Sequence, residues 1–148
     1  IVPYQVFRTA DGQVIIAAGN DRQYQRLCAI LARSDLAEDP AYATNGDRVL
    51  HRSTLVPALT EVIATWPKQD LLAALEREGV PAAPINTVGE VFADPQIQAR
   101  GLQIAPDGVP GVRSPISFTH HDLALDRTAP TLGEHNTAVR AGGWPVAE

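Results

Sequence analysis

Between residues 78 and 87 a charged amphipathic stretch stops and a nearly uncharged run fixed by glycine and proline begins: Glu78-Gly79-Val80-Pro81-Ala82-Ala83-Pro84-Ile85-Asn86-Thr87. Gly79 reads as a helix C-cap, because a residue without Cβ takes positive φ cheaply just past the last turn. Pro81 and Pro84 hold φ in the extended range and push Val80 and Ala83 the same way, so the chain leaves the helix stiffly. Asn86 and Thr87 end the run with polar groups. Two readings are open: the wall of a binding site with a polar tip, or a buried crossover from helix to core.

Upstream, Tyr4 to Arg8 and Gln13 to Ala18 are β-rich and flank Thr9-Ala10-Asp11-Gly12. An Asp-Gly pair between two such runs predicts a hairpin. Asn20 and Gln23 form a capping box, the Asn side chain taking the N3 amide while Gln reaches back. In the helix that follows, Tyr24, Leu27, Cys28 and Leu31 fall on one buried stripe, with Arg22, Arg26 and Arg33 outside. Ser34 to Glu38 predicts one helical turn, broken by Asp39-Pro40. A longer helical pattern runs from about Asp47 to Trp66, with Leu55, Leu59, Val62, Ile63 and Trp66 on a common face. Pro57 cannot bond the carbonyl of Ser53, which predicts a kink or a fresh helix start near Ser53. Lys68 to Glu78 is a further short helix with Leu71, Leu72 and Leu75 inward.

Downstream, Thr87 to Glu90 reads as a second capping box and Asp94-Pro95 as an N-cap with proline at the first helical position; Gly101 ends that helix. Residues 105 to 111 read as a loop, Val112 to Phe118 as a strand, and Leu123 to Pro130 as irregular, with a tail helix from near Glu134. The expected fold class is α+β: an N-terminal β-hairpin, several helices, then an irregular C-terminal third with short strands. That last third has little amphipathic pattern, which predicts that it packs on something other than its own neighbours.

Chemistry-bearing patterns are few. His120-His121-Asp122 offers metal-ligand side chains, but neighbours on an extended segment point to opposite faces and do not converge on one ion. Glu134-His135-Asn136 reads as helix-start capping, and Cys28 as packing. No Gly-rich phosphate loop and no nucleophile elbow is present. Asn20 and Asp21 stand where a strand end becomes a helix start, beside free N–H groups, a place where substrates bind; capping by Asn20 and a dipole contact by Asp21 explain the same residues.

A net charge of -5 without any Lys/Arg cluster argues against nucleic acid as the main partner. Eleven of the twelve basic residues are Arg, so bidentate contacts to carboxylate or phosphate are available. No apolar run is long enough to span a bilayer, and no basic region followed by an apolar stretch opens the chain; the expectation is a non-secreted, cytoplasmic protein without membrane partners. A single cysteine, which makes no internal disulfide, fits that compartment. The chain contains no Met and opens directly on a strand-like run, so the N-terminal part of a longer protein is expected to precede it.

The succession Thr9-Ala10-Asp11-Gly12, Ala18 to Leu27, Asp39-Pro40-Ala41-Tyr42-Ala43-Thr44-Asn45, Gly79 to Asn86, Asp94-Pro95-Gln96 and Leu132-Gly133-Glu134-His135 resembles the class III CoA-transferases. That family includes formyl-CoA transferase, carnitine CoA-transferase and α-methylacyl-CoA racemase. The resemblance implies a two-domain enzyme, a large Rossmann-like domain and a small α+β domain, assembled as an interlocked homodimer. Residues 1–105 match the small domain, and 106–148 the C-terminal segment that returns toward the large one. It further implies transfer of CoA between carboxylic acids through aspartyl-anhydride and thioester intermediates, with coenzyme A bound as the substrate thioester and no metal or redox cofactor. The aspartate and most CoA contacts of the family pattern lie upstream of Ile1, so this chain is expected to hold no catalytic residue and to be inactive alone.

In the racemase branch an active-site glutamate precedes a Pro-Gln-Phe triplet. Asp21-Arg22-Gln23-Tyr24 occupies that place here, with a shorter acid and Arg22 for the proline. The residues expected to face substrate are Asn20, Asp21 and Asn86. Alternative readings are a racemase-like enzyme, a free-standing non-catalytic ligand-binding module, and a small metal-dependent hydrolase using His120, His121 and Asp122.

Overall fold

The Thr9–Gly12 turn closes on itself, Thr9 N–H donating to the Gly12 carbonyl at 3.0 Å, and so sets the register of a hairpin between strands β1 (Tyr4–Arg8) and β2 (Gln13–Ala17). Arg8 pairs with Gln13 and Tyr4 with Ala17. The computed structural model of the chain describes residues 1–143, and these fall into two compact units, Ile1–Thr87 and a second from Val88 onward.

In the first unit, helices α1 (Asp21–Ile30), α2 (Ser34–Glu38), α3 (Asn45–Leu50), α4 (Arg52–Ile63) and α5 (Lys68–Arg77) follow the hairpin, and strand β3 (Ala82–Ile85) then returns antiparallel to β2. The sheet order is β1-β2-β3, which makes β3 an edge. Pro84 is tolerated there because an edge strand has N–H groups the ladder does not need.

The expected stripe holds: Tyr24, Leu27, Cys28 and Leu31 are all buried, and meet Phe7, Val14 and Ile16 from the sheet with Leu55, Leu59, Ile63, Leu71 and Leu75 from α4 and α5. Val62, Trp66 and Leu72 are partly buried against that core. The long pattern from Asp47 to Trp66 is two helices. Thr44 and Asp47 form a capping box that starts α3 at Asn45, ahead of the expected start, and α4 begins afresh at Arg52, where Pro57 required a break. Asp11 in the hairpin turn accepts from the Lys68 N–H at 2.7 Å and so caps α5 from a distant part of the chain. Pro67, at the local cap position, has no side-chain acceptor to offer.

Helix α5 ends in a complete Schellman motif. Gly79 has φ +65°, its N–H donates to Glu76 O, and Val80 N–H donates to Leu75 O at 2.9 Å, with Val80 and Leu75 both buried. The run that follows thus leads from buried Val80 into an edge strand whose first residue, Ala82, is partly buried and whose later residues, Ala83 to Ile85, are exposed.

The second unit holds helices α6 (Val88–Ala93) and α7 (Pro95–Ala99), a two-residue hairpin of β4 (Gln103–Ile104) with β5 (Gly111–Val112), and helix α8 (Asn136–Gly142). Asp94 caps α7 through Gln96 N and Ile97 N, as its sequence context requires. The strand expected over Val112 to Phe118 is confined to Gly111–Val112, because past Arg113 no partner strand is offered among the described residues. No described residue of this unit is buried; several of its apolar side chains lie open, among them Val112, Ile116, Phe118 and Leu132.

Candidate functional site

Strand β2 delivers the chain to the Asn20–Asp21 corner. Ala18 is buried and its N–H donates to Pro3 O at 3.0 Å, which prolongs the sheet by one residue. Asn20 is extended, and its Oδ1 accepts from Gln23 N at 2.9 Å, the expected N-cap of α1. Gln23 Oε1 reaches back to Gly19 N at 2.8 Å, one residue earlier than a strict capping box has it. Gly19, Asn20 and Asp21 are therefore fixed from both sides of the turn.

Asp21 is held from the core. Its Oδ1 accepts from Arg48 Nη2 at 2.8 Å, and the Arg48 side chain is wholly buried while that of Asp21 is 55% exposed. The same guanidinium donates through Nε to Val2 O at 2.8 Å and through Nη1 to Tyr42 O at 3.0 Å. It also lies 4.4 Å from the centroid of the Tyr24 ring, a cation–π contact. Arg48 thus gathers the N-terminal strand, the start of α1 and the turn before α3 around one charge. Tyr24 completes the shell with its hydroxyl on Leu36 O at 2.9 Å. Burial pushes the Tyr24 phenol upward, and it stays a hydrogen-bond donor throughout the ordinary pH range.

Sequence reading placed Asp21 at the helix dipole and overlooked Arg48. One signal was available: Arg48 is the one cationic side chain of α3, four residues past the Thr44 cap, but that helix is defined only once it starts at Asn45.

The three residues expected to face substrate do not meet. Asn20 and Asp21 lie beyond the Ala17 end of β2. Asn86 follows Ile85, which pairs with Gln13 at the other end. Four strand intervals at about 3.3 Å each put some 13 Å of sheet between the two places. The Pro81 end of the run, by contrast, sits beside Ala17, whose N–H donates to Pro81 O at 2.9 Å. Arg26 Nη1 also reaches across from α1 to Glu78 O at 2.7 Å. Of the glycine- and proline-fixed run, it is the Gly79–Pro81 portion and not the polar tip that neighbours the Asn20–Asp21 corner.

His120, His121 and Asp122 are exposed, and among the described residues no group of three or more His, Cys, Asp or Glu side chains is arranged to hold a metal ion. Glu134 Oε2 accepts from Thr131 N at 2.7 Å ahead of α8, a local turn contact. No helix among the described residues is long and apolar enough to cross a membrane.

The antiparallel sheet with its helical cover is that of a known class. The family described as CoA-transferase family III matches residues 1–136, and the chain belongs to the class III CoA-transferases. Among its relatives, succinate–glutarate CoA-transferase of Agrobacterium fabrum is 48% identical over 146 residues, which is 95% of this chain and 36% of that protein. Human succinyl-CoA:glutarate CoA-transferase is 34% identical over 146 residues, 94% of this chain and 33% of that protein. A crystal structure of a CAIB/BAIF family protein from Brucella suis matches with a TM-score of 0.85 at 51% identity, over 95% of this chain and 37% of that one. This chain spans about a third of the length of these relatives.

Proposed function

We propose that the chain is the small-domain portion of an enzyme that moves CoA between dicarboxylic acids of the succinate and glutarate type. The observation that carries this reading is the 48% identity, sustained over 95% of the chain, to a succinate–glutarate CoA-transferase. In this reading an aspartate elsewhere in the polypeptide attacks the thioester carbonyl of the donor. The C–S bond breaks, an acyl-aspartyl anhydride forms and CoA leaves as thiolate. The thiolate then attacks the aspartyl carbonyl and releases the donor acid. The acceptor carboxylate repeats the two exchanges in reverse, so every bond broken is replaced and no oxidant, reductant or other cofactor is consumed.

Water must be kept from the anhydride. The small domain supplies part of the cover, and Asn20 and Asp21, rigidly held at their corner, are its substrate-facing groups. Asn86 stands too far from them to share one small carboxylate, and contributes no contact in this reading. The segment 106–148 returns toward the larger domain, a placement favoured by the lack of buried side chains among the described residues of the second unit. The complete enzyme is an interlocked homodimer of the cytoplasm.

The test is an assay of the complete protein with succinyl-CoA and glutarate. Glutaryl-CoA and succinate formed in equal amounts are expected. Failure of any dicarboxylate to take CoA, with exchange of the α-proton of a branched acyl-CoA instead, would replace this reading with the racemase one.

A further inference from the structure

Arg48 is held more firmly than a surface ion pair requires. Its Nε donates to Val2 O at 2.8 Å, its Nη1 to Tyr42 O at 3.0 Å and to Ala43 O at 3.4 Å, and its Nη2 to Asp21 Oδ1 at 2.8 Å. Its Cζ lies 4.4 Å from the centroid of the Tyr24 ring, and Tyr24 is itself tied through its hydroxyl to Leu36 O. A planar fork engaged at every nitrogen and stacked on one face has no freedom to turn.

Stability does not ask for this arrangement. Taking a guanidinium out of water is costly, and a partner that is 55% exposed returns little, because a solvated pair attracts weakly. Asp21, in the first turn of α1, meets the helix dipole with or without Arg48. What the pair does supply is a fixed carboxylate. A surface aspartate otherwise exchanges rotamers within about nanoseconds, whereas Asp21 has Oδ1 tied to a group that cannot move. Its Oδ2 has no partner among the described residues and is the oxygen left for a ligand. The charges also cancel. The dicarboxylates and CoA thioesters of the proposed reaction are anions, which a lone carboxylate at the corner would repel and a paired one does not.

We infer that Arg48 is a positioning residue of the transferase, which acts on the bound acyl-CoA only through Asp21, by fixing Oδ1 and leaving Oδ2 to meet the ligand. The inference rests on the proposed reading, in which the Asn20–Asp21 corner faces substrate. Arg48 is wholly buried, so no ligand reaches it directly. A change at residue 48 is nonetheless felt in kcat/KM, because small displacements of a positioned group are costly in rate.

The experiment is a double-mutant cycle in the complete protein, read as transfer of CoA from succinyl-CoA to glutarate. Arg48→Lys keeps the charge and loses the fork; it is made alone and together with Asp21→Asn, and thermal unfolding of each preparation establishes that the enzyme is folded. Alone, it is expected to lower kcat/KM about tenfold. Added to Asp21→Asn, it is expected to lower kcat/KM by less than about twofold further, because the carboxylate it positions is already gone. Equal losses in the two backgrounds are what a merely structural role produces, and they overturn the inference.

Asp21→Glu leaves Arg48 in place and decides the matter where Arg48→Lys does not fold. The longer side chain keeps an acid for Arg48 and displaces the free oxygen by about 1.5 Å, one C–C bond. A fall in kcat/KM of about tenfold or more at unaltered stability is expected. Full activity, or a loss of activity that only follows a loss of folded protein, overturns the inference. Transfer by the unaltered protein separates the two claims. An active enzyme with additive losses refutes only the role of Arg48, and a protein that passes CoA to no dicarboxylate refutes the reading beneath it as well.

Discussion

Arg48 is fully buried and ion-paired at 2.8 Å with Asp21, whose own side chain is more than half exposed. A buried guanidinium is tolerated because its donors are directed at one carboxylate and at backbone carbonyls. The pair links the interior to the one surface corner that the family resemblance marks as substrate-facing.

Removing either partner has a different cost. Arg48→Ala strands the carbonyls of Val2 and Tyr42 and opens a hole beside Tyr24. At about 1–3 kcal/mol for each buried acceptor left unmet, a loss of about 3 kcal/mol is expected. Asp21→Ala deprives a buried charge of its counter-ion, but water reaches that end, so about 1–2 kcal/mol is expected. Asp21→Asn keeps an acceptor and falls below both. Urea-unfolding midpoints rank the three, and a larger loss for Asp21→Ala than for Arg48→Ala would contradict the geometry.

If Asp21 faces substrate, its role separates from stability. Asp21→Asn in the complete enzyme is expected to lower kcat/KM about tenfold or more, equivalent to about 1.4 kcal/mol of transition-state stabilisation. Unchanged kinetics would leave Asp21 a partner of Arg48 and no more.

Gly79 occupies the left-handed region at φ +65°. Gly79→Ala is expected to cost about 1–2 kcal/mol for that backbone conformation. The new Cβ would also meet Arg26 Nη1 at 3.3 Å, a contact the flexible arginine relieves by moving a few tenths of an ångström. Thermal unfolding of the variant measures the sum, and a neutral substitution would refute the strain argument.

Cys28 lies on the buried face of α1, and burial pushes its thiol above the ordinary value, partly offset by the Tyr24 hydroxyl. Because the folded pKa lies above the unfolded one of about 8.5, the associated stability is complete below that pH and is lost as pH rises through the folded value. Thiol reagents are expected to modify Cys28 only as fast as the protein opens, and Cys28→Ser to lessen the alkaline loss. Rapid labelling under native conditions would show the thiol to be accessible.

At the acid end, the hydroxyl of Thr44 at 2.6 Å and then its N–H hold the Asp47 carboxyl below the usual carboxylate range. That contribution is complete above the unfolded value of about 3.9 and is lost as pH falls through the depressed folded value. Asp47→Asn is expected to flatten the acid limb of stability against pH, and circular dichroism from pH 6 to about 2 follows it. An unaltered limb would mean that other carboxylates set it.

What residue order settled by itself was local. The hairpin at Asp11-Gly12, the Asn20 cap, the stripe of Tyr24, Leu27, Cys28 and Leu31, the fresh helix start forced by Pro57 and the Gly79 exit each depend on residues within a turn or two, where spacing and backbone sterics act directly. The Thr44–Asp47 box that starts α3 was equally local and was passed over, which hid Arg48. Tertiary structure alone decided three matters. Arg48 reaches Asp21 across 27 positions, Asp11 caps a helix 57 residues on, and antiparallel pairing puts Asn86 at the far end of the sheet from Asn20. Such partners are chosen by where folded elements meet, and a contact between distant positions leaves no periodicity in the sequence to read.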